Sequence, residues 1–126
     1  MRLEHIAIWS KDIEALRYFY AAHFGCTHSL RYENPAKGFS SYFLSFESGA
    51  RLEIMQKRGL ADRGADHGVG LAHFAVSVGS EPEVKARTER LRQAGIKVVG
   101  EPRWTGDGCF ESVVLDPDGN AVEITL

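Results

Sequence analysis

The sequence predicts an α+β fold: two tandem βαβββ modules forming a cupped, barrel-like mixed sheet with helices outside. Three observations carry this expectation. The stretch LEHIAI (residues 3–8) recurs as LAHFAV (71–76), a mostly apolar strand-like run with one histidine at its third position. Each run is followed by a helical pattern that stops at a glycine, Gly25 or Gly95, and then by further apolar strands. From that glycine to a glutamate, Glu53 in LEIM or Glu123 in VEIT, is 28 positions in both halves. Identity between the halves is weak, yet order and spacing agree, so the chain reads as a duplicated module.

The elements follow in order. Residues 3–9 read as a strand. Residues 12–24 read as a helix with Ile13, Leu16, Phe19 or Tyr20 and Phe24 on one side, ended by Gly25. Strands are expected at 26–32, 39–46 and 51–56, with NPAKG (34–38) and ESG (47–49) as turns. In the second half a strand at 71–78 precedes a helix from about 81 to 94. Ser80 and Glu83 have capping-box spacing, and Pro82 sits where helix amides lack intrahelical partners. Strands follow at roughly 96–99, 109–116 and 120–126, the last two joined by the type I turn DPDG (116–119). KRGLADRGADHGVG (57–70) is glycine-rich and aperiodic and reads as a connector. The expected organisation is one domain over 1–126, with module 1 at about 1–57, connector 58–70 and module 2 at about 71–126.

Composition narrows the partners. With 126 residues, 44% hydrophobic, 25% charged and a net charge of −2, the chain has the make-up of an ordinary globular domain. It has no basic tract for nucleic acid and no apolar run of the roughly 18–20 residues that span a bilayer. MRLEHIAIWSKD turns charged too soon for a secretory signal. Cys26 and Cys109 are too few for a disulfide framework or a cysteine zinc site. A cytoplasmic protein with two free thiols is expected.

Alternation along the strands assigns the polar residues. Leu52, Ile54, Val122 and Ile124 should face the helices, which turns Glu53 and Glu123 to the opposite, concave face. His5 and His73 point away from their apolar neighbours in the same sense. A lone strand histidine is usually a partly buried polar residue, and an alternating glutamate is usually the wet side of a sheet. Equivalent places in two copies of one module are not what those ordinary readings predict. Imidazole and carboxylate together suit borderline divalent metals, and a carboxylate beside such an ion can move a proton. His5, Glu53, His73 and Glu123 are therefore the candidate metal ligands. His23, His28 and His67 have no such counterparts; His23 is expected on the helix surface and His67 in the connector.

On LEHIAIWSKDIEALRYFYAAHFG (3–25), LEIM (52–55), LAHFAVSV (71–78) and VVLDPDGNAVEIT (113–125), the chain resembles the vicinal oxygen chelate superfamily. Within the superfamily's glyoxalase, bleomycin resistance protein and dioxygenase families, it is most similar to glyoxalase I (lactoylglutathione lyase). The resemblance covers nearly the whole chain. It implies paired βαβββ modules and one divalent ion, Zn²⁺ or Ni²⁺ first, with Co²⁺, Mn²⁺ and Fe²⁺ as alternatives, held by His5, Glu53, His73 and Glu123. It implies a lyase or isomerase acting on a small substrate with vicinal oxygens through a metal-stabilised enediolate, with Glu123 as the catalytic base. It further implies a homodimer in which His5 and Glu53 meet His73 and Glu123 of the other subunit. Dioxygenase relatives lack a ligand on the strand of Glu53, and antibiotic-sequestering relatives lack the metal. The chain departs from glutathione-using members at Trp9, where they place an arginine, since an indole cannot pair bidentately with a carboxylate. Arg17, Arg51, Lys57 and Arg103 could supply that charge instead. Trp9, Arg51, Arg103 and Trp104 are the candidate substrate contacts, with RWTGDG (103–108) read as an inter-strand loop beside the cleft.

Overall fold

The computed structural model describes residues 3–62 and 70–126. His67 and most of the connector lie outside the described residues. The chain divides into two compact units, Met1–Gly64 and Ala65–Leu126.

The first unit runs β1 (His5–Trp9), α1 (Ile13–Phe24), β2 (Thr27–His28), β3 (Tyr32–Asn34), β4 (Phe39–Ser45) and β5 (Arg51–Lys57). The first and last strands pair in parallel, Ala7 beside Glu53, and β5 continues antiparallel to β4. Asp12 starts α1: its Oδ1 accepts from the amides of Glu14 and Ala15, each at 3.0 Å. Gly25 stops it at φ 70°, a left-handed conformation that costs glycine no Cβ clash. Ile13, Leu16, Phe19 and Tyr20 are buried on the inner side of α1, as are Leu44, Leu52 and Ile54 on the strands beneath it. A polar tie crosses the same layer, where the Tyr42 hydroxyl donates to Glu14 Oε1 at 2.7 Å.

The second unit repeats the order with β6 (His73–Ser77), α2 (Glu81–Gln93), β7 (Val98–Trp104), β8 (Phe110–Leu115) and β9 (Ala121–Thr125). Here β6 and β9 pair in parallel, Ala75 beside Glu123. Ser80 Oγ caps α2 by accepting from the Glu83 amide at 3.4 Å. The Glu83 carboxylate turns to Arg90. At the other end Ile96 N–H donates to Leu91 C=O at 3.0 Å and Gly95 N–H to Arg92 C=O at 2.9 Å, a paired closure that uses up the last carbonyls. Val84 and Leu91 of α2 and Val114, Val122 and Ile124 of the sheet are fully or almost fully buried. Between them the Thr88 hydroxyl donates to the Val84 carbonyl and shares a 2.6 Å contact with Ser112 Oγ. Each helix covers one face of its sheet, and each sheet is open at both edges rather than closed on itself. No helix among the described residues is long and apolar enough to cross a membrane.

Three segments depart from expectation. The single strand expected at 26–32 is two short strands, because His28 faces Leu44 while Tyr32 faces Ser41. One extra residue is thus bulged out, and Ser29 Oγ takes over as acceptor for the Phe43 amide at 3.0 Å. The strand expected at 96–99 runs on to Trp104, with register shifts on either side of Gly100. Those shifts accommodate Pro102, which has no amide for a ladder. A Cβ at Gly100 would stand 3.0 Å from Val113 Cγ2, so the bulge needs glycine there. The loop read from RWTGDG shrinks to Thr105–Gly108, since Arg103 and Trp104 belong to β7. Both cysteines are free; Cys26 is buried, which pushes its thiol up to about 11.

Two outcomes follow for stability. Ile54→Ala should cost about 2–5 kcal/mol in a denaturant unfolding experiment, because its fully buried side chain would leave a cavity under α1. The Tyr42 hydroxyl, and then Arg17, hold the Glu14 carboxyl below its ordinary value of 4.5. Its stabilising contribution is therefore complete above that pH and disappears as pH falls through the lowered folded value. Glu14→Gln should destabilise the protein at neutral pH, and the gap from the parent should close in acid titrations followed by circular dichroism.

Candidate metal centre

The parallel pairing of first and last strands sets the site geometry in each unit. On the face opposite α1 stand His5, Ala7 and Trp9 of β1 beside Arg51, Glu53 and Met55 of β5. The small Ala7, in register with Glu53, leaves room for the carboxylate to lean toward His5. His5 Nε2 lies 3.9 Å from Glu53 Oε2. The second unit repeats this with Ala75 beside Glu123, and His73 Nε2 lies 3.2 Å from Glu123 Oε2. Both glutamates are mostly covered, with side chains 17% and 16% exposed, whereas both histidines are accessible.

These pairs suit a divalent ion. Two ligand atoms each about 2.1 Å from one ion, at the angles of tetrahedral or octahedral sites, lie roughly 3.0–3.4 Å apart. The His73–Glu123 separation falls in that range, and a small side-chain rotation would bring His5 and Glu53 into it. Each unit thus presents one nitrogen and one oxygen donor. No group of three or more His, Cys, Asp or Glu side chains converges among the described residues. Protein metal sites normally need at least three such ligands, so neither pair alone completes a site.

The surroundings of the pairs differ. Glu123 has its carboxyl raised above the ordinary 4.5, first by burial and then by the Glu111 carboxylate, while His73 and Arg103 pull it down. Glu111 is in register with Thr125, on the face of Glu123, and Arg103 Nη2 approaches its Oε1 at 3.5 Å. In the first unit His5 Nδ1 is 2.5 Å from Glu4 Oε2. Glu4 Oε1 accepts from Arg51 Nε at 2.8 Å, and Arg51 Nη2 contacts the same oxygen. The Arg51 guanidinium also lies over the Phe43 ring, 4.2 Å from its centre, and His5 meets that ring edge-on at 5.3 Å.

The candidate substrate contacts separate. Trp9 shares the face of His5 and Glu53, is 43% exposed, meets Phe39 edge-on and carries the Lys57 ammonium 4.7 Å above its ring. Arg51 is engaged by Glu4, and Arg103 by Glu111. Trp104 pairs in register with buried Phe110, whose ring is 5.3 Å away, and so stands on the helix-covered side of its sheet, not on the side of His73 and Glu123. Of the alternative cations, Arg17 is bound to Glu14 on α1. His28 contacts Arg17, and the His23 ring lies tilted against Phe19. Glu111 was legible from alternation, as it lies two residues before the partner of Glu123. Glu4 was not, because alternation along the strand expected at 3–9 puts it on the face opposite His5, whereas the strand begins at His5 and Glu4 before it turns back to His5 Nδ1.

The model of the Glyoxalase/Bleomycin resistance protein/Dioxygenase superfamily matches residues 2–124. No curated protein matches the sequence significantly. Among solved structures, glyoxalase I from Zea mays superposes with a TM-score of 0.82 at 23% identity over 98% of this chain and 44% of that chain. This chain thus spans less than half of the maize enzyme. The trypanothione-dependent glyoxalase I of Leishmania major gives 0.80 at 23% identity, over 99% of this chain and 86% of that one. A glyoxalase family protein from Enterococcus faecalis gives 0.81 at 26% identity, over 99% and 97%. With the family model matched from end to end and the same fold in these structures, the chain belongs to the Glyoxalase/Bleomycin resistance protein/Dioxygenase superfamily.

Proposed function

We propose that the protein is a metal-dependent lyase or isomerase of glyoxalase I type, acting on a small substrate with two adjacent oxygens. The observation that carries this reading is the repeated pair: one imidazole nitrogen and one carboxylate oxygen per module on equivalent strands, 3.2 Å apart in the second module and 3.9 Å in the first. His5, Glu53, His73 and Glu123 would together hold one divalent ion, with Zn²⁺ or Ni²⁺ matching the nitrogen and oxygen donors. The bound ion would supply Lewis acidity to the substrate oxygens. Glu123 is the base. A carboxylate positioned beside the ion can serve as a proton-transfer base. Its oxygen takes the proton from the hydroxyl-bearing carbon beside the carbonyl, the C–H electron pair moves toward the carbonyl oxygen, the proton returns to the former carbonyl carbon, and the hydroxyl proton passes to the former carbonyl oxygen, leaving a new carbonyl where the hydroxyl stood.

Substrate recognition departs from glutathione. Trp9 offers an apolar wall, and of the four cations that could replace a carboxylate-binding arginine, Lys57 makes no ion pair among the described residues while Arg17, Arg51 and Arg103 each do. An anionic group on the substrate would meet Lys57 over the face of the Trp9 ring.

We place the working site between two subunits of a homodimer, His5 and Glu53 of one facing His73 and Glu123 of the other. Purified protein should bind one equivalent of divalent metal per chain by titration. His5→Ala and His73→Ala proteins should each be inactive toward hemithioacetals of methylglyoxal with a panel of thiols. Subunit exchange between them should restore activity, because one site of each mixed dimer keeps all four ligands. No recovery, with metal still bound by the parent, would put both modules of a site in one chain. No metal uptake by the parent would leave a small-molecule binding protein of the same fold. Glu123→Gln should lower kcat by about 10²–10⁴, the usual worth of a positioned base, in single-turnover assays on metal-loaded protein.

A further inference from the structure

The two histidines are not held alike. His5 Nδ1 contacts a carboxylate at 2.5 Å, and that carboxylate is itself gripped by Arg51. Among the described residues no carboxylate stands at Nδ1 of His73. The Glu4 carboxylate already accepts from the Arg51 guanidinium, and a carboxylate held in an ion pair can only accept. Nδ1 must then carry the hydrogen. In a neutral ring this leaves the lone pair on Nε2, the nitrogen that faces Glu53 Oε2. The contacts close into a loop: Arg51 to Glu4, Glu4 to His5, and both His5 and Arg51 against Phe43. Arg51 is also anchored through its backbone, since its amide donates to the Glu4 carbonyl at 2.9 Å. The ring of His5 is thereby fixed in tautomer and in rotation although it is exposed.

We propose that Glu4 is a positioning residue for His5: it fixes the Nδ1–H tautomer and presents Nε2 as a metal donor, with Arg51 holding Glu4 in place rather than binding substrate. This rests on the reading of His5 as a metal ligand. It makes the first module the pre-organised half of the site. A carboxylate on the outer nitrogen of a ligand histidine orients the ring and raises its basicity, and loss of such a partner typically weakens metal binding about 10–100-fold.

The test uses the full chain and two readouts. In metal-free protein, nitrogen-15 spectra of the histidine rings should show His5 as the Nδ1–H tautomer. Glu4→Leu should shift His5 toward a mixture while leaving His73 unmoved. Zn²⁺ affinity, measured by chelator competition, should fall about 10–100-fold in Glu4→Leu. Arg51→Leu should move both readouts in the same direction by a smaller amount, and Glu4→Asp should restore part of each. A His5 tautomer unchanged by Glu4→Leu would overturn the proposal, as would unchanged Zn²⁺ affinity in a parent that binds the ion. If the parent binds no Zn²⁺, the metal reading itself falls, and the tautomer readout still decides whether Glu4 orients His5.

Discussion

The parallel pairing of the first and last strand of each module is the constraint on which the rest depends. It sets Ala7 beside Glu53 and Ala75 beside Glu123, so that a small side chain separates each histidine from its glutamate along the strand. Parallel neighbours cannot be joined by a tight turn. The intervening helix and strands therefore fill the connection and, in doing so, cover one face of the sheet. The uncovered face is left to the polar pair. Core and site are thus two sides of one pairing, and the alternation that buries Leu52 and Ile54 is what exposes the edge of Glu53.

The duplicated modules solve the helix-to-sheet contact differently. In register terms Tyr42 and Ser112 hold equivalent places, each opposite an isoleucine of the last strand. Tyr42 reaches out to Glu14, and the tie joins an ion network with Arg17 and Arg31. Ser112 stays inside and meets Thr88, whose own hydrogen goes to the helix carbonyl. The first module therefore has its polar tie where water and salt can reach it. The second keeps a closed, dry one. The same contrast recurs at the site, where an exposed Glu4–Arg51 pair backs His5 while burial and Glu111 act on Glu123.

Much of this was legible in the sequence. The helix stops, the Ser80 cap, the buried stripe of α1 and the inward glutamates all follow from period and spacing, because local chemistry and burial agree there. The bulges at 29–31 and around Gly100 were not legible, since a one-residue insertion leaves the hydrophobic pattern readable on both sides and shows only as a shift in pairing. That shift also moved Arg103 and Trp104 from a loop into a strand and turned Trp104 toward Phe110. Among the charged groups, sequence reasoning placed Arg51 and Arg103 near the site but not their partners, Glu4 and Glu111. Ion pairs between separate strands depend on register, which composition does not encode.

The two bulges have a further consequence. In each sheet they fall on or beside the strand farthest from the histidine-bearing one, and in the second sheet they come with Pro102 between the charged Glu101 and Arg103. Such an edge resists recruitment by a stray strand from another molecule. The histidine-bearing strands β1 and β6 are regular, unbulged edges within their own sheets. Unwanted strand addition is thus discouraged on one flank of each module, and the flank left able to accept a neighbour is the one that carries the histidine proposed as a metal ligand.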